Sequence, residues 1–394
     1  MLRKKKTIVF ILTVILFYTL FTVIGFAGIN LSSEKEKTQY REKIFFGKMR
    51  HTIKISNLTQ NNGRLSQYNV DPLSVYSFTG GGWQVSNVCN LSKKYLNDQD
   101  FYLTQAHSEA GSVNLFVHNP EYDAISGTIK QRRSFESENV DVVMSILRKD
   151  QQLSLIDIGA NVGIYALSAA LFGRQVIAID AAVENIQHIC ASVEYGHFTN
   201  RVAIIYNALS DSHGKVEFKH GVKGDFGLGH VDADGISSKM ETKFKDYFDN
   251  GRTDAVEAVK LDDLLSLPQI AFMKNILIKM DVEGHEHRVL LGAKQFMKQK
   301  LKSVRGIVME WQWFSDEAEN TIRNLMAGWN FAPYKLSGLT EPLKLNQTMH
   351  WPNDVLWLPK YSKQNKVVKK DNNHRSALKT SRQQRKNQFI QIKR

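Results

Sequence analysis

Between residues 153 and 329 the chain alternates two patterns. Continuous apolar runs occur at "LSLIDIG" (153–159), "QVIAID" (175–180), "RVAIIYNALSD" (201–211), "NILIKMDVEG" (275–284) and "SVRGIVMEW" (303–311). Each predicts a buried strand, and "VEAVKLDDLL" (256–265) predicts a further short strand and a turn. Between them, "IYALSAALFG" (164–173), "AVENIQHICASVEY" (182–195), "HEHRVLLGAKQFMKQK" (285–300) and "NTIRNLMAGW" (320–329) predict helices, the first stopped by Gly173. Apolar strands that do not alternate, separated by amphipathic helices, mean a parallel sheet covered on both faces. The expected fold is α/β, a doubly wound, mostly parallel, Rossmann-like sheet.

Upstream, "SVNLFVH" (112–118) and "AISGTIK" (124–130) predict strands. "SFESENVDVVMSILRK" (134–149) predicts a helix capped by Ser134 or Ser137, with Val140, Val143, Ile146 and Leu147 on one face. Gly80, Gly81 and Gly82 with nearby aromatics suit irregular structure or short strands. Residues 7–29, "TIVFILTVILFYTLFTVIGFAGI", carry no charge and follow "LRKKK". At 1.5 Å per residue this run spans about 34 Å, enough for a hydrocarbon core. It exceeds the apolar region of a cleaved signal peptide, and the preceding cations favour the cytosol. The expected organisation is a cytosolic tail (1–6), a transmembrane signal anchor (7–29), and a stem with N-terminal extension (30–109). A catalytic domain (110–358) and a disordered basic tail (359–394) follow. That is a single-pass type II protein of the Golgi or ER membrane with its domain in the lumen.

The net charge of +13 sits mostly at the two ends, and residues 7–359 are close to neutral. The basic balance therefore does not argue for nucleic acid. Four N-x-[ST] sequons, at Asn30, Asn57, Asn90 and Asn346, agree with a lumenal domain. Cys89 and Cys190 are the only cysteines. They are too few for a zinc site and suffice for one bridge or two buried thiols.

The chemistry centres on "LIDIGANVGIYAL" (155–167). Gly159 and Gly163 let the backbone turn tightly and approach a ligand. Asp180 ends the next strand, where a carboxylate can accept from ribose hydroxyls. The spacing Gly159-Ala160-Asn161-Val162-Gly163 is not the G-x-G-x-x-G of dinucleotide sites, and the adjacent Asp157 would repel a pyrophosphate. A cationic, adenosine-bearing ligand fits better: S-adenosylmethionine. Asn207 and Ala208, at the end of the third strand, are expected to border its adenine.

In order, "LIDIGANVGIYAL", "VIAID", "YNALSDSHGKVEF", "VKLDDLL", "ILIKMDVEGHEHRVLLGA" and "GIVMEW" resemble the FkbM family of S-adenosylmethionine-dependent methyltransferases. The family usually has Glu-Pro after the second strand; here Asp180-Ala181 keeps the acid. The resemblance implies methyl transfer on a class I methyltransferase fold, most simply to oxygen. Asp281, at the end of "ILIKMD", is then the expected base and His285 the second choice. Glu283 and Glu310 would hold the acceptor through its hydroxyls. Asp281, Glu283, His285 and His287 can also be read as a divalent-metal set, but their spacing crosses a strand-to-helix turn, and no metal is assigned. The glycine-rich "GDFGLGHVDADG" (224–235) is expected to cover the acceptor. Lumenal topology suggests a glycan or small-molecule acceptor. A second reading is a nucleotide-sugar glycosyltransferase, with Asp232-Ala233-Asp234 as its D-x-D.

Overall fold

The computed structural model describes residues 73–90, 100–221, 227, 229–232, 248, 251–339 and 341–360, all within one compact unit, 70–394. The expected cytosolic tail, membrane anchor, most of the stem, the basic tail from residue 361, and the sequons at Asn30 and Asn57 lie outside the described residues. Among the described residues, no helix is long and apolar enough to cross a membrane.

The strands are β1 (Ser74–Thr79), β2 (Gly82–Val85), β3 (Tyr102–Ser108), β4 (Gly111–Val117), β5 (Leu153–Ile158), β6 (Val176–Asp180), β7 (Val202–Tyr206), β8 (Ala208–Leu209), β9 (Gly214–Lys219), β10 (His230–Asp232), β11 (Thr253–Val259), β12 (Asn275–Met280), β13 (Val304–Glu310), β14 (Phe331–Lys335) and β15 (Asp354–Pro359). The helices are α1 (Ala124–Arg132), α2 (Ser137–Lys149), α3 (Ile164–Leu171), α4 (Val183–Tyr195), α5 (Pro268–Phe272), α6 (Glu286–Leu291), α7 (Lys294–Lys300) and α8 (Asp316–Gly328). Nine strands form one sheet in the order β14-β15-β13-β12-β5-β6-β7-β1-β2. The six from β13 to β1 pair in parallel, while β15 and β2 run against their neighbours. β1 and β2, from the expected N-terminal extension, thus finish one edge of the catalytic sheet.

Chain order reverses between β5 and β12. From β5 the sheet grows through β6 and β7; from β12 it grows through β13. A ligand site is expected at the carboxyl ends flanking such a reversal. Both faces are covered because β5 is apolar on both. Leu153 and Leu155 join one core with α2, α3 and α4, and Ile156 and Ile158 join the other with α6, α7 and α8. Burying each such side chain contributes about 1.5–3 kcal/mol.

Several elements differ from the sequence expectation. "AISGTIK" is helix α1, not a strand. The period-two spacing of Ile125 and Ile129 is overridden by Asp123, whose carboxylate accepts from Ser126 N (2.6 Å) and starts a helix. Helix α2 is capped by neither Ser134 nor Ser137. Its N-cap is Glu136, at φ 46° and with no side-chain cap. The predicted third strand divides at Asn207, because β8 leaves the main sheet to pair with β11 in a four-stranded sheet, β10-β9-β11-β8. The predicted helix 285–300 breaks into α6 and α7 at Gly292, where a Cβ would lie 2.1 Å from the Ser210 carbonyl oxygen. Cys89 and Cys190 form a disulfide, tying the segment after β2 to α4.

Candidate active site

The turns after β5 and β12 meet at the chain reversal. Gly159 N donates to Ile179 O (2.9 Å), and Asp281 N donates to Ile158 O (3.0 Å). Gly159 has φ +74°, and a Cβ there would stand 1.7 Å from the Asp281 carbonyl oxygen. The glycine is demanded first by this contact between two turns. Gly163 (φ +87°) is the N-cap of α3 beside Ile189 and does not line the cavity described next, contrary to its expected ligand approach.

A cavity of about 410 Å³ opens above these turns. On its β6–β7 side the polar groups already have partners. Asp180 Oδ2 accepts from Asn161 N (2.7 Å), and Oδ1 accepts from Ala182 N (2.9 Å) and Asn185 Nδ2 (3.1 Å). Of the roughly four acceptor positions of a carboxylate, about one remains. Burial pushes the Asp180 carboxyl up to about 6 against these hydrogen bonds. Asn161 is left-handed (φ 51°), and its Oδ1 accepts from Val162 N (2.7 Å). Asn207 and Ala208 line the cavity. The Asn207 amide, however, accepts from Phe78 N (2.8 Å) and donates to Phe78 O (3.2 Å) and Glu257 O (3.0 Å), lacing β1 and β11 together.

The β12–β13 side is different. Asp281, Glu283 and Glu310 converge so that one carboxylate oxygen from each lies within 4.8 Å of the others. Lys279, 5 % exposed, donates to Asp281 Oδ2 (3.1 Å) and Gly159 O (3.2 Å) and lies 5.0 Å from the centre of the Tyr165 ring. Gln312 Nε2 donates to Glu310 Oε1 (2.9 Å). Glu310 Oε2 is buried without a hydrogen-bond partner, and Glu283, its Oε2 also buried, has the Trp313 indole as its side-chain hydrogen-bonding neighbour. Burial, then the neighbouring Asp281, pushes both carboxyls well above the usual range. His285 is buried at the start of α6, with Nε2 3.1 Å from Ser210 Oγ. Burial, then His287 and Arg288, lowers it to about 3, so it is a neutral imidazole and a weak base.

Asp157 is not where the sequence suggested. It is fully buried and does not line the cavity; it stands in register beside Lys279 on the neighbouring strand. Burial raises its carboxyl to about 7 against the pull of Lys279 and of the Ala166 backbone N–H. It serves as a counter-charge beneath the site. The strand β10 carries part of the expected glycine-rich cover, and Gly227, Gly229, His230 and Val231 line the cavity. Asp232 of the D-x-D pairs with Lys219 (2.8 Å), and Asp234 lies outside the described residues.

Residues 157–333 match the family described as methyltransferase FkbM domain.

This segment is a methyltransferase FkbM domain.

No curated protein matches the chain. Among solved structures, it is similar to the METTL16 MTase domain (11 % identity, 70 % of this chain and 93 % of that one, TM-score 0.34). It is also similar to a SAM-dependent methyltransferase from Agrobacterium tumefaciens (12 %, 72 % and 77 %, 0.32). A third is precorrin-6y C5,15-methyltransferase from Geobacter metallireducens GS-15 (11 %, 57 % and 90 %, 0.31). The cofactor of the FkbM-domain enzyme is S-adenosylmethionine. Its site fits that molecule. Asp180 keeps an acceptor position for a ribose hydroxyl, and among the described residues the lining is rich in carboxyl groups (Glu136, Asp180, Asp281, Glu283 and Glu310), with Lys279 paired to Asp281, which suits a cation.

Sequence reasoning missed Glu136, Tyr165 and Gln312. Glu136, freed from capping α2, accepts from Tyr165 Oη (2.8 Å) at the cavity wall. An adjoining polar cavity of about 390 Å³ shares Thr128, Phe135 and Glu136 with the first.

Proposed function

We propose that the enzyme O-methylates a hydroxyl of a glycan in the secretory pathway. The observation that carries this reading is the convergence of Asp281, Glu283 and Glu310 on one side of the cavity, opposite Asp180. Carboxylates at this spacing bind neighbouring hydroxyls well, and they repel phosphodiesters, which disfavours a nucleic-acid acceptor. The adjoining polar cavity offers room for further sugar units.

S-adenosylmethionine supplies an electrophilic methyl group on its sulfonium when bound. Asp281 takes the proton from the acceptor hydroxyl, and Lys279 fixes it by holding Oδ2. Glu283 and Glu310 orient the acceptor through its other hydroxyls. Tyr165 and Glu136 form the wall through which the acceptor enters.

Location in the lumen is supported by the Cys89–Cys190 disulfide, which suits an oxidising compartment, and by the exposure of Asn90 and Asn346, each the first residue of a sequon. The apolar run 7–29 supplies the type II anchor in this reading. The test incubates the full-length protein with labelled methyl donor and a secretory-pathway glycoprotein fraction. Label released as methylated sugar after glycan hydrolysis supports the proposal; label recovered in RNA or in polypeptide contradicts it.

A further inference from the structure

We propose that Asp281, Glu283 and Glu310 form a binding site for a hard divalent cation. The sequence suggested a set with His285 and His287; His285 is instead hydrogen-bonded to Ser210, and the third acid comes from β13. One carboxylate oxygen from each of the three residues falls within 4.8 Å of the others, a span that one ion can bridge.

Convergence alone would be an acidic patch. What makes it a site is how the oxygens are committed. Lys279 holds Asp281 Oδ2, leaving Oδ1 available. Gln312, outside the cluster, holds Glu310 Oε1, leaving the buried Oε2 without a partner. Glu283 brings a third buried carboxylate, with the Trp313 indole as its side-chain hydrogen-bonding neighbour, so the fully uncommitted oxygen is that of Glu310. Glu286, with no exposed surface, is held apart from the three by the turn backbone, its Oε1 accepting from Val282 N (2.8 Å). Buried carboxylate oxygens without donors are costly, and a cation removes that cost. Outer donors that fix one oxygen of a carboxylate and point the other inward are the usual support of a metal site.

An all-oxygen donor set suits Mg²⁺, Ca²⁺ or Mn²⁺ rather than zinc or copper. Three carboxylates leave positions on the ion for oxygens of water or acceptor. That last role rests on the glycan reading, whereas cation binding itself does not.

The test titrates MnCl₂ into the full-length protein without cofactor or acceptor and reads free Mn²⁺ by electron paramagnetic resonance. One ion per chain with a Kd below about 1 mM, displaced by Mg²⁺ or Ca²⁺, is expected. Glu310→Gln and Gln312→Ala should each weaken it by about tenfold or more, while Asp232→Asn, at the D-x-D, leaves it unchanged. Thermal unfolding without metal checks that each variant folds, and Mn²⁺ should raise the melting temperature of the wild type more than that of Glu310→Gln. Absence of binding overturns the proposal, as does binding that Glu310→Gln and Gln312→Ala both leave intact. S-adenosylmethionine binding, measured separately, keeps a failure here distinct from a failure of the methyltransferase reading.

Discussion

The two sides of the cavity are built on opposite principles. On the β6–β7 side, Asp180 accepts three hydrogen bonds and Asn207 accepts one and donates two, and little is left over for a ligand. On the β12–β13 side, Glu310 holds one oxygen on Gln312 while its buried Oε2 has no partner. The first side is a finished scaffold with one acceptor position open. The second is stable only at a cost, and that cost is where ligands act. Such unmet polar groups gather at functional sites, because a fully satisfied group has nothing to offer a substrate.

Disrupting the junction between the two sides should have the largest effect. Gly159→Ala forces a Cβ into the Asp281 carbonyl at a positive φ, and should destabilise the domain by more than about 4 kcal/mol, read as loss of the cooperative thermal transition. Next, Asn207→Ala strips partners from Phe78 N, Phe78 O and Glu257 O. It should cost about 2–4 kcal/mol in chemical denaturation, which would mark Asn207 as scaffold.

The pH dependence separates scaffold from ligand. The Asp180 carboxyl lies at about 6 in the folded chain, above its ordinary value. Its contribution to stability is therefore greatest in acid and is lost as pH rises through about 6, with Asp157 following near 7. Cofactor affinity should run the other way. It holds above pH 7 and weakens below 6, where Asp180 protonates, approaching about tenfold per pH unit. Equilibrium dialysis and thermal melts across pH 5–8 check both trends.

The smallest effect is the most unusual in sign. Glu310→Gln removes one of several mutually repelling acids and should raise the melting temperature of the ligand-free protein by about 2–4 °C. A drop instead would mean that the acceptor side is as finished as the cofactor side.

The sheet was legible because its strands are continuous apolar runs, and Gly159 and Asp180 because their spacing follows a strand–turn–helix unit. The misses share one cause. Asn207 is committed by Phe78, 129 residues away, and Gly292 breaks its helix because Ser210 packs there. Glu136 joins Tyr165 across 29 residues. Local periodicity carries none of these contacts. Helix α1 was misread for a nearer reason: two isoleucines four apart fit both periods, and one Asp cap decided between them.

The division of labour is tested most directly by calorimetric titration of S-adenosylmethionine into the full-length protein, Asp180→Ala and Glu310→Gln. The account predicts binding by the wild type and by Glu310→Gln, and a loss of about 10- to 100-fold in Asp180→Ala, the worth of one hydrogen bond to a charged group. Binding that survives Asp180→Ala but is lost in Glu310→Gln would reverse the two sides and contradict it.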